Sequence, residues 1–303
     1  MMSNNMIEKI QALKEQKGAV ILAHNYVDGT IQEIADFLGD SLELSIRAKE
    51  AQAKTIVFCG VRFMAETAKL LSPDSVVLLP RSDAGCPMAD MATAEEVRKM
   101  RKAHPNAVFV AYVNSTAEVK AEVDICCTSA NAGKIVASIP KDREVVFLPD
   151  RNLGGNVSQS LQREFCLWNG CCPIHDRVTP EMVQDARKKY PGAEILVHPE
   201  CRPEVIAEVD QALSTGGMIR YIAASDKKEF VVGTESGIFH RLLLANPDKK
   251  LYKLEPELIC ADMKKITLTD VLHALETGTE EILLDAELAK KAVKPIEAML
   301  QVK

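Results

Sequence analysis

The chain has 303 residues, of which 47% are apolar and 26% are charged, and its formal net charge is −6. This apolar fraction supports a sizeable buried core and excludes a disordered or fibrous chain. The negative balance argues against nucleic acid or an anionic membrane as a partner, because both require a basic face. Small molecules are therefore the expected ligands.

The N-terminal residues lack the basic and then apolar pattern of a signal peptide. No apolar run approaches the roughly 20 residues that a membrane-spanning helix needs, so we expect a cytoplasmic protein. Nine cysteines, an odd number, in a chain without an export signal indicate reduced thiols or metal ligands rather than a disulfide framework.

Short β-rich runs alternate with helical patterns, which is typical of parallel sheets joined by crossover helices. A first helix is predicted at 7–17, and closing helices are predicted at 267–275 and 285–300. Two further helix starts carry capping signals, Thr93 with Glu96 and Thr179 before Pro180. The predicted strands lie at 19–23, 55–59, 76–79, 108–113, 145–148, 195–197 and 230–232.

One internal pattern occurs three times, with a period near 86 residues. Each copy has a strand that ends in an imidazole or aromatic residue (the strand-end residues), and a hydroxyl residue 17 positions later (the repeat hydroxyls). A cysteine follows the strand-end residue by 60 to 62 positions (the repeat cysteines), and a threonine follows the cysteine by seven. These landmarks are His24, Ser41, Cys86 and Thr93; Tyr112, Ser129, Cys172 and Thr179; and His198, Thr215, Cys260 and Thr267.

A repeat of this length predicts three small units, each too short to be stable without its neighbours. The predicted fold is α/β, with three pseudo-threefold-related α/β/α sandwich domains, each containing a small parallel sheet, around a central active-site cavity. We expect repeat I at 1–84, completed by C-terminal helices at 265–303, repeat II at 85–171 and repeat III at 172–264.

The strand-end residues fall where α/β sheets bind ligands, at the carboxyl ends of the strands. The repeat hydroxyls are interpreted as helix caps, where free backbone N–H groups and a hydroxyl can hold a carboxylate or phosphate. A pocket for a small polyanion is therefore expected on the threefold axis. Packed structural histidines and plain helix caps are the alternative interpretations of the same residues. Glu200, two residues after His198, is a candidate general base.

The same symmetry would bring the repeat cysteines to one point. Three thiolates with an open fourth position are a known arrangement for a [4Fe-4S] cluster whose free iron acts as a Lewis acid. Zinc is the competing metal, although a structural zinc site usually has a fourth protein ligand and closely paired cysteines. Free cysteine is often simply buried, and the six outside the register are interpreted as structural. They are Cys59, Cys126, Cys127, Cys166, Cys171 and Cys201.

Seven motifs extend this pattern along the chain. They are AHNY at 23–26, ADFLGDS at 35–41, FMAETA at 63–68, YVNSTA at 112–117, TSAN at 128–131, HPEC at 198–201 and STGGM at 214–218. On these motifs the chain resembles the quinolinate synthase family of bacterial NAD biosynthesis over essentially its whole length. Two details depart from the family pattern: Val27-Asp28-Gly29 replaces a common glutamine, and Cys171 stands where histidine usually precedes the second cysteine.

The resemblance implies three α/β/α domains around one [4Fe-4S] cluster per chain, held by Cys86, Cys172 and Cys260. It implies that iminosuccinate, made by L-aspartate oxidase, condenses with dihydroxyacetone phosphate to give quinolinate, phosphate and water. Transient contact with L-aspartate oxidase is possible on this basis. The implied catalytic residues are Glu200, Tyr26, His198 and Tyr112. The implied substrate-binding residues are His24, Ser41, Tyr112, Asn114, Ser129, His198, Glu200 and Thr215.

Two other classes of function were weighed against this one. A metal-free or zinc-stabilised protein that only binds a small polyanion would not explain one cysteine per repeat. A metal-independent aldol enzyme would require a Schiff-base lysine at a strand end, and the sequence places none there.

Overall fold

The structure, a computed structural model, describes residues 2–302, and these contain three separate four-stranded sheets. Every pairing between these strands is parallel. The strands of the first sheet are β1 (Ala19–His24), β2 (Phe37–Gly39), β3 (Thr55–Cys59) and β4 (Val76–Leu78). Those of the second are β5 (Val108–Tyr112), β6 (Ile125–Cys127), β7 (Val145–Leu148) and β8 (Cys166–Leu167). Those of the third are β9 (Glu194–Val197), β10 (Gln211–Ala212), β11 (Glu229–Gly233) and β12 (Lys250–Lys253).

The three sheets repeat one strand order. It is β2-β1-β3-β4 in the first sheet, β6-β5-β7-β8 in the second and β10-β9-β11-β12 in the third. The order confirms the predicted fold class, three small parallel sheets in α/β/α layers. We refer to the parts of the chain that carry these sheets as the first, second and third units.

Helices cover the sheets and connect their strands. The helices are α1 (Met2–Lys17), α2 (Gly29–Ile34), α3 (Ser41–Glu50), α4 (Arg62–Leu71), α5 (Ala94–Ala103), α6 (Ala117–Lys120), α7 (Ala132–Ala137), α8 (Arg151–Leu161), α9 (Pro180–Lys189), α10 (Pro203–Ile206), α11 (Thr215–Ala224), α12 (Ile238–Ala245), α13 (Leu268–Thr277) and α14 (Ala286–Gln301). The three threonines that follow the repeat cysteines by seven positions are helix caps: Thr93, Thr179 and Thr267 are the N-caps of α5, α9 and α13.

All seven predicted strands are present, within a residue at either end. Five strands were missed, namely β2, β6, β8, β10 and β12. Four of these are only two or three residues long, and β12 has a polar sequence with exposed or half-buried positions. All five lie at sheet edges, where pairing does not require a continuous apolar run.

The inner strands explain the apolar runs in the sequence. Every residue of β7 is buried, and only the first residue of β3 and of β5 is not. A parallel strand covered by helices on both faces buries consecutive side chains rather than alternate ones. The main core joins the first two units to part of the third, and a smaller cluster packs on one side of the third sheet.

One aspartate contact recurs in all three units. In each unit, an aspartate carboxylate accepts a hydrogen bond from a backbone N–H of the first strand, 15 residues earlier in the chain. The pairs are Ile21 to Asp36 at 2.7 Å, Phe109 to Asp124 at 2.7 Å and Ile195 to Asp210 at 2.8 Å. A basic side chain pairs with each carboxylate, from Lys14, Arg101 and Arg187 respectively. The three units therefore share a packing contact as well as a topology.

The two C-terminal helices pack on different units. Helix α13 packs against α1 and β3, whereas α14 packs against α4 of the first unit and against α6 and β6 of the second. The domain boundaries expected from the repeat stay a prediction. Within residues 2–302, no helix combines the length and apolar character needed to cross a bilayer.

Candidate active site

One cavity lies where the three units meet. The volume open to the centres of water molecules is about 70 Å³, several times the roughly 10–15 Å³ that one water needs. All strand-end residues, repeat hydroxyls and repeat cysteines line it, together with Tyr26, Asn114 and Glu200. The structure thus brings together every residue that the sequence nominated for the site, although they are spread from 24 to 260.

Ser41 and Thr215 lie at the expected helix starts, but the prediction that the repeat hydroxyls are the caps is wrong. Asp40 caps α3 by accepting from the backbone N–H of Leu42 and Glu43 at 3.1 and 3.0 Å, and Ser41 is the first helical residue. Ser214 caps α11 in the same way, ahead of Thr215. A polar residue directly before the hydroxyl takes the capping bond in both cases. The hydroxyl itself therefore makes no capping hydrogen bond and faces the cavity.

Ser129 differs from its two counterparts. It lies in the turn at 128–131 before α7, whose N-cap is Asn131. The side chain of Asn131 accepts from the backbone N–H of Thr128 at 2.7 Å and so closes the turn. Ser129 still lines the cavity, but on a turn rather than in a helix.

The two histidines among the strand-end residues share one hydrogen-bond geometry. Nδ1 of His24 accepts from the backbone N–H of Tyr26 at 3.2 Å, and Nδ1 of His198 accepts from that of Glu200 at 3.3 Å. Burial lowers the pKa of each imidazole to about 3, with the other imidazoles contributing. Both rings are therefore neutral at pH 7 and carry their proton on Nε2. Each can donate this Nε2–H to an anionic oxygen in the cavity.

Glu200 is buried among donors. One carboxylate oxygen accepts from the Tyr112 hydroxyl at 2.5 Å, and the other accepts from Nδ1 of His175 at 2.7 Å. Burial alone would raise the pKa of Glu200, but the neighbouring imidazoles and these two hydrogen bonds outweigh it and keep the pKa below its ordinary value. Burial and the nearby carboxylate raise the pKa of Tyr112, which stays a phenol.

Two further polar residues extend this network, and sequence reasoning did not assign them to the site. Nε2 of His175 lies 2.8 Å from the Thr234 hydroxyl, which lies 2.5 Å from the Tyr26 hydroxyl. Tyr26 also accepts from Thr215 at 2.8 Å. The repeat gave no signal for His175, because the residues three positions after the other two repeat cysteines are Ala89 and Met263.

The surroundings of the repeat cysteines fit a metal cluster. Each sulfur accepts from the backbone N–H three residues later, that of Ala89, His175 or Met263. Burial raises the pKa of Cys86 to about 12 and also raises those of Cys172 and Cys260, so the thiolates need a cation beside them. Among the described residues 2–302, these are the only cysteines that line the cavity. Three convergent sulfurs with N–H donors suit a [4Fe-4S] cluster with one free iron position.

A second possible metal group overlaps this one. Ligand atoms of Cys172, His175 and Glu200 lie within 4.8 Å of one another. A borderline cation such as zinc accepts sulfur, nitrogen and oxygen ligands of this kind.

Asn114 provides independent evidence for a polar ligand. Its Oδ1 is buried, and among residues 2–302 nothing donates a hydrogen bond to it. Buried polar atoms without a partner are uncommon in folded proteins. A donor group on a bound ligand would satisfy this oxygen, which lies on the cavity wall.

The loop that carries Tyr26 is fixed by the third unit. Lys264 donates to the Tyr26 carbonyl oxygen and pairs with Glu235 at 3.0 Å. Glu235 is 1% exposed and also accepts from the backbone N–H of Gly237 at 2.7 Å and of Cys260 at 3.2 Å. One buried carboxylate thus connects the Tyr26 loop to the loop of a repeat cysteine.

Contacts between α3 and α11 close the first unit against the third beside this loop. A carboxylate oxygen of Asp40 accepts from the backbone N–H of Gly216 at 3.2 Å, and Glu43 pairs with Arg220 at 2.6 Å. Burial and the proximity of Glu43 raise the pKa of Asp40. Asp40 therefore caps its own helix and contacts the start of another.

Comparison with known proteins matches this site to one family. The sequence profile described as "Quinolinate synthetase A protein" matches residues 8–301. A protein of Methanoregula boonei named "Quinolinate synthase" is 52% identical over 293 residues, covering 97% of each chain. Proteins of the same name from Pelobacter propionicus and Dehalococcoides mccartyi are 51% and 50% identical, covering 99% and 97% of each chain. Identity at this level over nearly the full length, with every nominated site residue in one cavity, shows that the chain belongs to the quinolinate synthase family of NAD biosynthesis enzymes.

Proposed function

We propose that this protein is a quinolinate synthase that condenses iminosuccinate with dihydroxyacetone phosphate to give quinolinate, phosphate and water. The observation that carries the proposal is the convergence of all twelve nominated residues on one cavity. The family and the names of the relatives support the product.

The substrates carry carboxylate and phosphate groups, and the cavity offers donors for them. The Nε2–H groups of His24 and His198 and the hydroxyls of Ser41 and Ser129 are neutral donors, so they can bind anions without a buried counter-charge. The hydroxyl of Thr215 already donates to Tyr26. In the first turns of α3 and α11, Asp40 and Ser214 accept from the neighbouring N–H groups, and the N–H groups of Ser41 and Thr215 themselves are not used by these caps. Asn114 would accept from a substrate N–H or O–H through its unpaired oxygen.

Proton transfer is assigned to Glu200 with the two tyrosines. Glu200 is a carboxylate held between Tyr112 and His175, so it can take a proton from a substrate carbon or hydroxyl and return it. Tyr26 and Tyr112 remain phenols and can donate to developing negative charge on a substrate oxygen. Tyr26, Tyr112 and Glu200 are buried, which limits the access of bulk water to these groups.

Cys86, Cys172 and Cys260 would hold the [4Fe-4S] cluster. When bound, the cluster supplies an iron with a free position, a Lewis acid that polarises a substrate oxygen during dehydration. L-aspartate oxidase would supply iminosuccinate, which is an unstable imine, and a transient contact between the two enzymes would shorten its exposure to water.

The proposal is tested on protein purified without oxygen, by iron and sulfide analysis and by quinolinate formation from the two substrates. We expect about four irons and four sulfides per chain and product in the wild type. Cys172→Ser should lose both the cluster and the product. Cys171→Ser is the matched control, because Cys171 adjoins Cys172 but does not line the cavity, and it should keep both.

A second function, a zinc-stabilised protein that only binds a small polyanion, is favoured by the close grouping of Cys172, His175 and Glu200. One equivalent of zinc per chain, with tight binding of a dicarboxylate but no product formation, would establish this function instead. Iron with product formation would refute it.

A further inference from the structure

A fully buried lysine lies beside the cavity wall and takes no part in the chemistry assigned to the site. Lys120, in α6, is 0% exposed. Its ammonium donates to the carbonyl oxygen of Ser115 and lies 5.6 Å from the centre of the Phe63 ring, which lines the cavity. The ammonium has three N–H donors, and within the part of the chain that the structure describes Ser115 is its one hydrogen-bond partner. Lysine is almost never fully buried unless it is paired.

This lysine is unfavourable for folding. Burial lowers the pKa of Lys120, so its surroundings disfavour the charged form. The Glu66 carboxylate, whose charge acts in the opposite direction, is held by other groups: it pairs with Arg62 at 3.1 Å and accepts from the backbone N–H of Ala117 at 3.0 Å. An apolar side chain of the same length would cost less to bury. A residue that breaks a folding rule in this way is expected where function requires it.

The contact with Ser115 fixes the loop that carries Asn114. This loop, 113–116, connects β5 to α6. Ser115 is 0% exposed, and its hydroxyl donates to the Tyr112 carbonyl oxygen at 2.9 Å while its own carbonyl oxygen accepts from Lys120. Asn114 therefore lies between two anchored residues. Its buried Oδ1, on the cavity wall, receives no hydrogen bond from residues 2–302.

We propose that Lys120 is a positioning residue for substrate binding, which holds the backbone at Ser115 so that Oδ1 of Asn114 faces a donor group of the substrate. The donor is an N–H or O–H, since an amide oxygen only accepts. Lys120 does not itself line the cavity, so it acts through Asn114. This inference rests on the proposed function, because that function assigns Asn114 to the substrate.

Lys120→Met tests the proposal directly, because it removes the ammonium and nearly preserves the length of the side chain. We expect KM to rise about three- to tenfold for the substrate that Asn114→Ala also affects, with kcat changed less than about threefold. The thermal midpoint should stay within about 3 °C of the wild-type value, because the removal of a buried charge offsets the loss of one hydrogen bond.

Lys69→Met is the matched control. Lys69 also donates to backbone carbonyl oxygens of a loop, those of Pro73 and Ser75 at 3.1 and 2.8 Å, but this loop does not line the cavity. The KM values of this variant should equal those of the wild type.

The double variant of Lys120→Met with Asn114→Ala separates positioning from general support of the fold. If Lys120 acts through Asn114, the double variant should have the KM of Asn114→Ala within about twofold, rather than the product of the two increases. Iron content is measured for each protein, since Cys86 is among the groups whose charge acts on Lys120. Lys120→Met should keep the wild-type iron content.

The proposal is overturned if Lys120→Met or Asn114→Ala keeps the wild-type KM for both substrates, or if the two increases multiply in the double variant. It is also overturned if Lys120→Met loses its iron, which would place its role at the cluster, or if its midpoint falls by more than about 3 °C, which would indicate support of the fold. A wild-type protein that forms no quinolinate would instead contradict the proposed function. The two failures are therefore distinguishable.

Discussion

Replacing the buried Glu235 by alanine should destabilise the protein strongly for a single substitution. The carboxylate is 1% exposed and accepts from the backbone N–H groups of Gly237 and Cys260 and from Lys264. Each buried N–H left without an acceptor costs about 1–3 kcal/mol. The Lys264 pair adds less, because the lysine side chain is 27% exposed and can turn to water.

The two lost backbone bonds together give a loss of about 2–6 kcal/mol. For a chain of this size, a loss of that magnitude lowers the thermal midpoint by roughly 3–9 °C. Glu235→Gln keeps an acceptor oxygen without the charge and should fall between Glu235→Ala and the wild type. Glu255→Ala, which removes an exposed pair with Lys189 at 2.9 Å, is the control and should leave the midpoint within about 1 °C.

Thermal unfolding followed by circular dichroism measures all four proteins under the same buffer and scan rate. A midpoint for Glu235→Ala within about 2 °C of the wild type would refute the reasoning, since water would then have replaced the carboxylate at little cost. The result would mean that the Tyr26 and Cys260 loops do not depend on a shared buried acceptor. Iron content, measured in parallel, should fall in Glu235→Ala because the Cys260 loop loses its backbone contact.

Three other substitutions give separate tests. In Gly237→Ala the added Cβ would overlap the Tyr26 carbonyl oxygen and lie 2.6 Å from Lys264 Nζ, so we expect a cost of about 1–3 kcal/mol in urea unfolding. Gly133→Ala, with open space around its Cβ, should cost nothing, and equal effects of the two would contradict this. Asn114→Ala removes an unpaired buried oxygen, so the thermal midpoint should stay constant while KM rises about tenfold, or about 1.4 kcal/mol; an unchanged KM would exclude substrate contact. The pKa of His24 is about 3 in the folded chain and near 6.5 when unfolded, so the unfolded state binds more protons and stability falls as pH drops from 6.5 toward 3. His24→Gln should reduce the slope of unfolding free energy against pH by about 1.4 kcal/mol per unit between pH 6 and 4, and an unchanged slope would show that His24 is charged when folded.

The repeat pattern predicted the fold and the location of the site because both follow from chain topology. Inner strands such as β7 are continuous apolar runs, and residues at their carboxyl ends must meet if three similar sheets pack around one axis. The landmarks that recur in all three repeats were therefore sufficient to predict residues that line the cavity. The five edge strands were not predicted, because short strands that pair along one side show little hydrophobic pattern in the sequence.

The sequence could not predict contacts that differ between units. His175 occupies a position where the other repeats have Ala89 and Met263, so the register that revealed the cysteines gave it no support. Thr234 follows β11 without a counterpart among the landmarks, and its role depends on two distances that only the folded chain defines. The prediction of the helix caps was wrong for a local reason. Asp40 and the serine after it are both good capping residues, and only the geometry of the folded chain selects one of them.

The position of Tyr26 between two threonines of another unit affects how the cavity can open to ligands. Its hydroxyl bonds Thr215 and Thr234, while Asp40 bonds the N–H of Gly216 a short distance away. The cavity beside these bonds offers about 70 Å³ to the centres of water molecules, enough for only a few waters. Any movement that separates the first and third units here breaks these bonds together. Active sites that open by such movements do so in microseconds to milliseconds, so the bonds that hold Tyr26 in place would also govern how often this side of the cavity opens.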